Sequence, residues 1–242
     1  MAAQNIGNLT MKFGLTQQFS CSYLPEQKEQ LLVFADTDEP DDQQYEFLMG
    51  AGFRRSGEQI YRPHCPACQA CQAIRIPIAL FSPSKSQKRV LKRNQDLQMI
   101  VSESDSPDYY PLYEQYINQR HDDGSMYPAS MEQYQSLVKS RWVSPLFVEF
   151  HLMEKLVAVA ITDNLPHSLS ALYTFFAPHL AARSIGTLAI LQQISLASRL
   201  EKQFLYLGYQ VDECKKMNYK GNFLPHERFF ADKWQLISKK TG

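Results

Sequence analysis

The chain has 242 residues, 44% of them apolar, enough for one large or two modest packed domains and far from the composition of a disordered segment. Its 25 basic and 25 acidic residues cancel, so no global field draws it to a polyanion and any such partner must meet a local patch. No apolar run approaches the roughly 18 residues of a membrane span, Met1–Lys12 lacks the basic start and apolar core of a secretory leader, and five cysteines do not make an even disulfide framework, so a cytoplasmic protein in a reducing compartment is expected.

In chain order, acid collects at Asp36, Asp38, Glu39, Asp41, Asp42 and Glu46, and Pro40 can start a short helix over Asp41–Met49 that ends at Gly50 and Gly52. Gly57, Pro63 and Pro66 break up Gly52–Cys71 into turns. Within it Cys65, Cys68 and Cys71 have the spacing of a metal or redox site, which Cys21 or His64 would complete; inert thiols are the alternative. Ile74–Leu80 reads as a short strand that Pro77 confines to an edge or bulge. In Ser84–Asn94, Lys85, Lys88, Arg89, Lys92 and Arg93 recur at helical spacing on one face with no acid among them. A phosphate backbone fits along such a stripe. An ordinary solvated face is the competing reading, weakened by the repulsion between like charges one turn apart.

Glu103–Pro107 has the look of a domain seam, dividing the chain into residues 1–104 and 105–242. Beyond it Ser106 is placed to cap a helix with Pro107 in its first turn, running aromatic-rich to about Gln119. A second helix starts at Ser130, with a capping box expected from Gln133. Leu146–Leu152, Leu156–Asp163 and Leu169–Phe176 then alternate as strands of an antiparallel meander, Ser184–Leu200 has a helical apolar period, and Phe204–Val211 is a further strand. The fold class is therefore α/β (α+β), in layers.

Arg183-Ser184-Ile185-Gly186-Thr187, at the strand-to-helix junction, is close to the Arg-x-x-Gly-x-Gly/Ala loop by which enzymes of the N-acetyltransferase fold hold pyrophosphate. Backbone N–H groups at a helix start bind anions, and the glycine admits close approach. Leu188 stands where an acetyl-CoA enzyme has Gly or Ala, so the cradle can be kept for another ligand.

Cys21-Ser22-Tyr23-Leu24, Gly52-Phe53-Arg54-Arg55-Ser56-Gly57, the Tyr61-to-Arg75 cysteine segment, Ser84-to-Asn94, Leu169-to-Phe176, Arg183-to-Gly186, Tyr206-Leu207-Gly208-Tyr209 and Cys214-Lys215-Lys216-Met217-Asn218-Tyr219-Lys220 together resemble the arginyl/leucyl-tRNA-protein transferase family, its bacterial leucyl branch throughout. The match runs from Phe19 to Trp234 in the family's own order. Ala177 and Gln210 depart from it, where the family pattern has Asp and Trp. The resemblance implies an N-terminal family domain, a C-terminal N-acetyltransferase-like (GNAT) domain, and transfer of leucine from leucyl-tRNA to N-terminal Asp or Glu, which marks the acceptor for degradation by the N-end rule. Arginyl transfer to the same acceptors and acetyl-CoA-dependent acetyl transfer are the alternatives, and an RNA-binding module without turnover leaves the C-terminal half unexplained.

A tRNA ester is already activated, so the chemistry requires no metal or redox cofactor, although zinc or an iron-sulfur cluster at Cys21, Cys65, Cys68 and Cys71 is a possible addition. Positioning and aimed backbone N–H groups can supply most of the acceleration. Tyr173, Thr174 and His121 are candidate catalytic groups. An acidic acceptor calls for guanidinium partners, which places Arg54, Arg55, Ser56 and Arg75 in its pocket. Phosphates of the tRNA fall to Lys85, Lys88, Arg89, Lys92, Arg93, Arg183 and Gly186, and Phe175 is a stacking surface for its terminal adenine.

Overall fold

The computed structural model describes residues 11–36, 39–122, 124 and 126–239; Met1–Thr10 and Asp38 of the expectations above lie outside them. The first strands are short. β1 (Phe13–Leu15), β4 (Leu31–Phe34), β5 (Arg54–Ser56) and β6 (Gln59–Pro63) form an antiparallel sheet in the order β1-β4-β6-β5, and β2 (Phe19–Ser20) pairs with β3 (Lys28–Glu29) beside it. Helix α1 (Asp42–Gly50) starts where Asp41 and Gln44 complete a reciprocal capping box, and it buries Tyr45, Leu48 and Met49.

The main sheet has eight strands in the order β14-β13-β7-β12-β11-β10-β9-β8. It comprises β7 (Gln72–Pro77), β8 (Gln98–Ser102), β9 (Ser144–Leu152), β10 (Lys155–Asn164), β11 (Ser168–Phe176), β12 (Phe204–Gln210), β13 (His226–Phe230) and β14 (Lys233–Ile237). Apolar β-formers drive the meander β9-β10-β11, whose Val148, Ala158, Val159, Ile161 and Leu169 are fully buried. Only β11 and β12 run parallel. Their crossover is helix α5 (Ile185–Arg199), whose apolar period buries Ile185, Leu188, Ala189 and Ala197. Helices α2 (Lys85–Arg93), α3 (Tyr109–Arg120) and α4 (Met131–Val138) complete the main core.

Three expectations are corrected. Strand β7 lies inside the sheet, between β13 and β12, because Ile74 and Ile76 are wholly buried and Pro77 is only its last residue, where a missing N–H ends the strand. The helix expected from Ser106 begins at Tyr109, since Ser106 Oγ accepts from Asp108 N in a preceding turn. Ser130 Oγ does accept from Gln133 N, but Gln133 Oε1 is buried without a partner among the described residues, so the box is half made.

The seam at residues 103–107 is the connection from β8 to α3, and the main sheet runs across it: β7 and β8 precede it yet pair with β12, β13 and β9. A second, smaller core likewise joins Tyr45, Leu48, Phe53 and Ile60 to Val143, Leu165 and Tyr206. The main sheet and the smaller core thus both draw residues from either side of 104/105.

Candidate active site

Strands β11 and β12 pair only at Ser168–Ser170 against Phe204–Tyr206. Beyond that the two parallel strands part, and β12 carries a bulge in its pairing with β7 between Tyr206 and Tyr209, with Gly208 at φ +77°. The parted strands leave a narrow gap, of about 10 Å3, bordered by Tyr45, Arg54, Arg55, Ala171, Leu172, Gly208 and Tyr209 among others, so a ligand larger than a water must spread its walls to enter. Arg54 reaches it from β5 and lies across the bulge: a Cβ on Gly208 would sit 2.6 Å from its Nη1. Its guanidinium carbon is 5.8 Å from the centre of the Tyr209 ring. The groups acting on it electrostatically are the phenols of Tyr61, Tyr23, Tyr209 and Tyr45, and no described carboxylate pairs with it. Gly208→Ala is therefore expected to cost about 1–2 kcal/mol in backbone strain alone, a fall of roughly 2–8 °C in Tm for a chain of this size, and to push Arg54 out of the gap; thermal denaturation checks the first effect.

The segment after β12 folds back over the strand. Gln210, 2% exposed, organises this: its Nε2 donates to Asp212 Oδ1 (2.8 Å) and the Asn218 carbonyl (3.1 Å), while Oε1 accepts from Gly221 N (3.0 Å). An amide with donors and an acceptor does this where an indole has one donor, which accounts for Gln in place of the expected Trp. Arg228 holds Asp212 by two bonds of 2.6 and 3.0 Å. The result buries Lys220 against β12, 7% exposed, with Nζ donating to the Tyr209 carbonyl at 2.7 Å. Burial, then the nearby Arg54 charge, push its amine down to about 7.

A second cavity, of about 440 Å3, opens beside the start of α5 and is lined by Ser84, Gln87, Val90, Thr187, Tyr219 and Phe223 among others. The first intrahelical bond of α5 is Leu188 N to the Ser184 carbonyl, so the N–H groups of Ile185, Gly186 and Thr187 precede it, and no side chain caps them. A Cβ on Gly186 would meet nothing within 4 Å, so the protein's own packing does not require glycine there. Tyr219 lines this cavity, feels the charge of Arg54, and has Lys220 Nζ 5.9 Å from its ring centre.

The five cations of α2 are exposed, and the opposite face packs Val90 and Leu91 against the core. Arg183 is not open to a phosphate. Its Nε donates to Asn94 Oδ1 (2.9 Å) and its Nη2 to the Arg93 carbonyl (3.0 Å) and to Asp96, so it caps the end of α2. Asn94 Nδ2 returns a bond to the Arg183 carbonyl (3.0 Å) and Arg93 Nη1 one to the Ala182 carbonyl (2.8 Å). These bonds fix the basic stripe against the turn that leads into α5.

Of the guanidinium groups expected at an acidic substrate, two are already committed. Arg55 is fully buried and meets Asp163 at the end of β10 by a fork of 2.9 and 2.6 Å. Arg75 donates to Glu227 Oε2 (2.6 Å) and to the Tyr206 hydroxyl (3.0 Å), its guanidinium carbon 3.7 Å from the Phe204 ring centre and 4.1 Å from that of Trp234. Ser56 is an exposed residue at the end of β5. Phe175 is wholly buried against Tyr113, which also covers Tyr173, so the stacking surface expected there is core. Thr174 is half-buried within β11, and His121 ends α3 against the Tyr116 ring, 4.9 Å away.

Cys21, Cys65, Cys68 and Cys71 do line one cavity, of about 280 Å3. Tyr23 N and Leu24 N donate to Cys21 Sγ at 3.5 and 3.4 Å, and burial, with the other three thiols, pushes Cys71 up to about 12. No three His, Cys, Asp or Glu side chains among the described residues converge so as to hold a metal ion. As placed, the four thiols share the cavity without converging on one point.

Lys220, Gly208, Asp163 and Glu227 were not singled out as functional or structural partners from sequence. Gly208 had a legible signal, a glycine inside a strand pattern, which marks a bulge. The carboxylates had none: Asp163 and Glu227 are 108 and 152 residues from the arginines they hold.

A helix N-terminus without a side-chain cap and a basic helix stapled beside it set positive potential near the gap between the parting parallel strands of an α/β fold. Family models for the arginine-tRNA-protein transferase N terminus and C terminus match residues 19–89 and 108–230. The aspartate/glutamate leucyltransferase of Pseudoalteromonas atlantica is 63% identical over 95% of this chain and 99% of its own, and those of Aeromonas hydrophila and Pseudomonas aeruginosa are 54% and 48% identical over 95% and 94% of this chain and 97% of theirs. The chain belongs to the arginine-tRNA-protein transferase family. Among solved structures, the C-terminal domain of a putative lysylphosphatidylglycerol synthetase from Agrobacterium fabrum superposes with a TM-score of 0.46 at 12% identity, over 71% of this chain and 52% of that one, too distant to carry an argument.

Proposed function

We propose that this chain transfers leucine from leucyl-tRNA to the N-terminal Asp or Glu of acceptor proteins, with β11, α5 and β12 forming a donor site of the N-acetyltransferase (GNAT) type. The parting of β11 from β12 supports the second part, since it leaves β12 backbone open beside a helix N-terminus. The observation that carries the first is an open cavity beside α5 with an unpaired guanidinium nearby, at a narrow gap between β11 and β12. The cavity beside α5 has Val90, Phe223 and Leu224 to contact a leucyl side chain, and no acidic residue among its described lining to pair with an arginyl one. The gap beyond Tyr219 holds Arg54, a guanidinium without a carboxylate, which suits an acidic one. The α5 N–H groups and the α2 stripe then take the phosphates of the tRNA.

The reaction breaks the ester between the leucyl carbonyl and the terminal ribose and forms an amide with the acceptor's α-amine. Holding amine and ester together is the main task, and backbone N–H groups stabilise the oxyanion that forms. The test is transfer of radiolabelled leucine or arginine from charged tRNA onto peptides beginning with Asp, Glu, Ala or Arg. Leucine on Asp and Glu peptides alone is expected; arginine transfer, or equal use of Ala, refutes the assignment.

The stripe yields its own expected result. Lys88 and Arg89 are exposed on α2 and form no ion pair among the described residues, so replacing both by Gln should flatten the slope of log affinity for leucyl-tRNA against log salt by about one unit per lost contact. An unchanged slope makes the stripe a solvated face.

A further inference from the structure

We propose that Lys220 is the proton acceptor for the acceptor's α-ammonium group, an inference that rests on the leucyl-transfer reading. Its placement is unusual for a lysine. It is 7% exposed, has no carboxylate partner, and its Nζ makes two contacts, to the Tyr209 carbonyl (2.7 Å) and to Met217 Sδ (3.7 Å). A neutral amine has two N–H groups, which these partners take, and one lone pair, which no described residue engages in a hydrogen bond. Arg54, the group assigned to the acidic side chain, lies next to it, and an N-terminal Asp or Glu carries its ammonium only a few bonds from its carboxylate. Tyr219, on the adjoining residue, opens onto the donor cavity. Lys220 is thus bonded to the carbonyl of Tyr209, a residue that borders the Arg54 gap, and is adjacent in sequence to Tyr219, which lines the donor cavity; on this proposal the acceptor amine and the donor ester come together between them.

The charged and titratable groups facing it are Arg54 on β5, Tyr209 on β12, Tyr219 beside it, Cys214 in the fold-back segment and Cys71 ahead of β7. Burial and Arg54 favour the neutral amine; the two thiols oppose this only if ionised, and Cys71 is itself held protonated by its burial. Other candidates fare worse. Tyr209 spends its hydroxyl on the carbonyls of Gly52 and Tyr61 (3.0 and 3.1 Å), and burial raises Tyr173.

The proton count closes. Lys220 takes one proton from the α-ammonium, whose freed lone pair forms the N–C bond as the carbonyl pair moves to oxygen. When the C–O bond to the ribose breaks, the Lys220 ammonium gives that proton to the departing oxygen. Neutral again, it accepts the second proton from the new amide nitrogen and passes it to water, so one proton is released per transfer.

The experiment is kcat for leucyl transfer to an Asp peptide at saturating substrates across about pH 5.5–9. The wild type should show a limb rising through about pH 7, the range to which Lys220 is lowered. Lys220→Met, which keeps the stem and lacks the amine, should lose that limb and about 100- to 1,000-fold in kcat, with leucyl-tRNA affinity kept. Lys220→Ala should regain activity with added ethylamine in proportion to its free base, read as leucyl-peptide by mass spectrometry. A wild type that transfers leucine with kcat flat through this range overturns the proposal without any variant; so does Lys220→Met within about threefold of wild-type kcat, or a folded, tRNA-binding Lys220→Ala that amine does not rescue. A wild type that transfers no leucine at all fails the parent function instead.

Discussion

Arg54→Gln should abolish use of Asp and Glu peptides while leucyl-tRNA binding persists. Arg54 is half-buried, rests on the glycine of the β12 bulge, and meets phenols and no described carboxylate. A substrate carboxylate that enters this gap loses water and gains a charged, hydrogen-bonding partner; with glutamine it is left short of that partner at a penalty of a few kcal/mol. The loss in kcat/KM should be about 100-fold or more. Arg75→Gln is the informative contrast. Its guanidinium already holds Glu227 and is clasped by Phe204 and Trp234, so its removal should lower Tm and act on acceptor use only through that loss of stability. Steady-state kinetics beside a filter-binding measurement for leucyl-tRNA separates the two. If Arg54→Gln weakens tRNA binding and acceptor use equally, Arg54 serves the RNA and the acidic pocket lies elsewhere.

Asp163→Asn should be among the most destabilising single changes in the chain. Both side chains of the Arg55–Asp163 pair have zero exposure, and Arg55 has in addition only the Gly57 carbonyl (3.2 Å) and the Leu137 carbonyl (3.5 Å). Removing one partner of a buried pair strands the other charge in the interior at a cost of about 3–5 kcal/mol, or roughly 6–20 °C in Tm for a chain of this size. The pair ties β5 to the end of β10, across the expected seam. The double change Arg55→Met with Asp163→Leu should recover much of the loss, because two apolar groups of similar volume leave no charge unpaired. Chemical denaturation of the three variants tests it; additive losses in the double variant would show that the carboxylate and guanidinium act apart.

Neither variant touches α2, so the salt dependence of tRNA binding should be the same in both as in the wild type. That independence makes the three sites separable by experiment.

What the sequence determined by itself was local. Short-range rules place the short helix over Asp41–Met49, the basic helix within Ser84–Asn94, the meander β9-β10-β11 and the helix after Ser184, because helical and strand periods are set by residues within a turn or two of one another; the capping boxes at Asp41 and Ser84 emerge from the structure. The order of motifs from Phe19 to Trp234 likewise identified the family. The hairpin β13-β14 was not foreseen: its aromatic and charged residues earn their places against Arg75, Tyr206 and Gly50 far upstream. Which arginine is open to a substrate was equally beyond local reading. Arg54 and Arg55 are adjacent and chemically identical; strand alternation turns one to Asp163 and the other to the bulge at Gly208, and only the tertiary fold decides which finds a carboxylate waiting. Lys220 belongs to the same class. In sequence it is one lysine of three between Cys214 and Gly221, and it becomes distinct only because Gln210 folds that segment back and buries its amine beside a second cation.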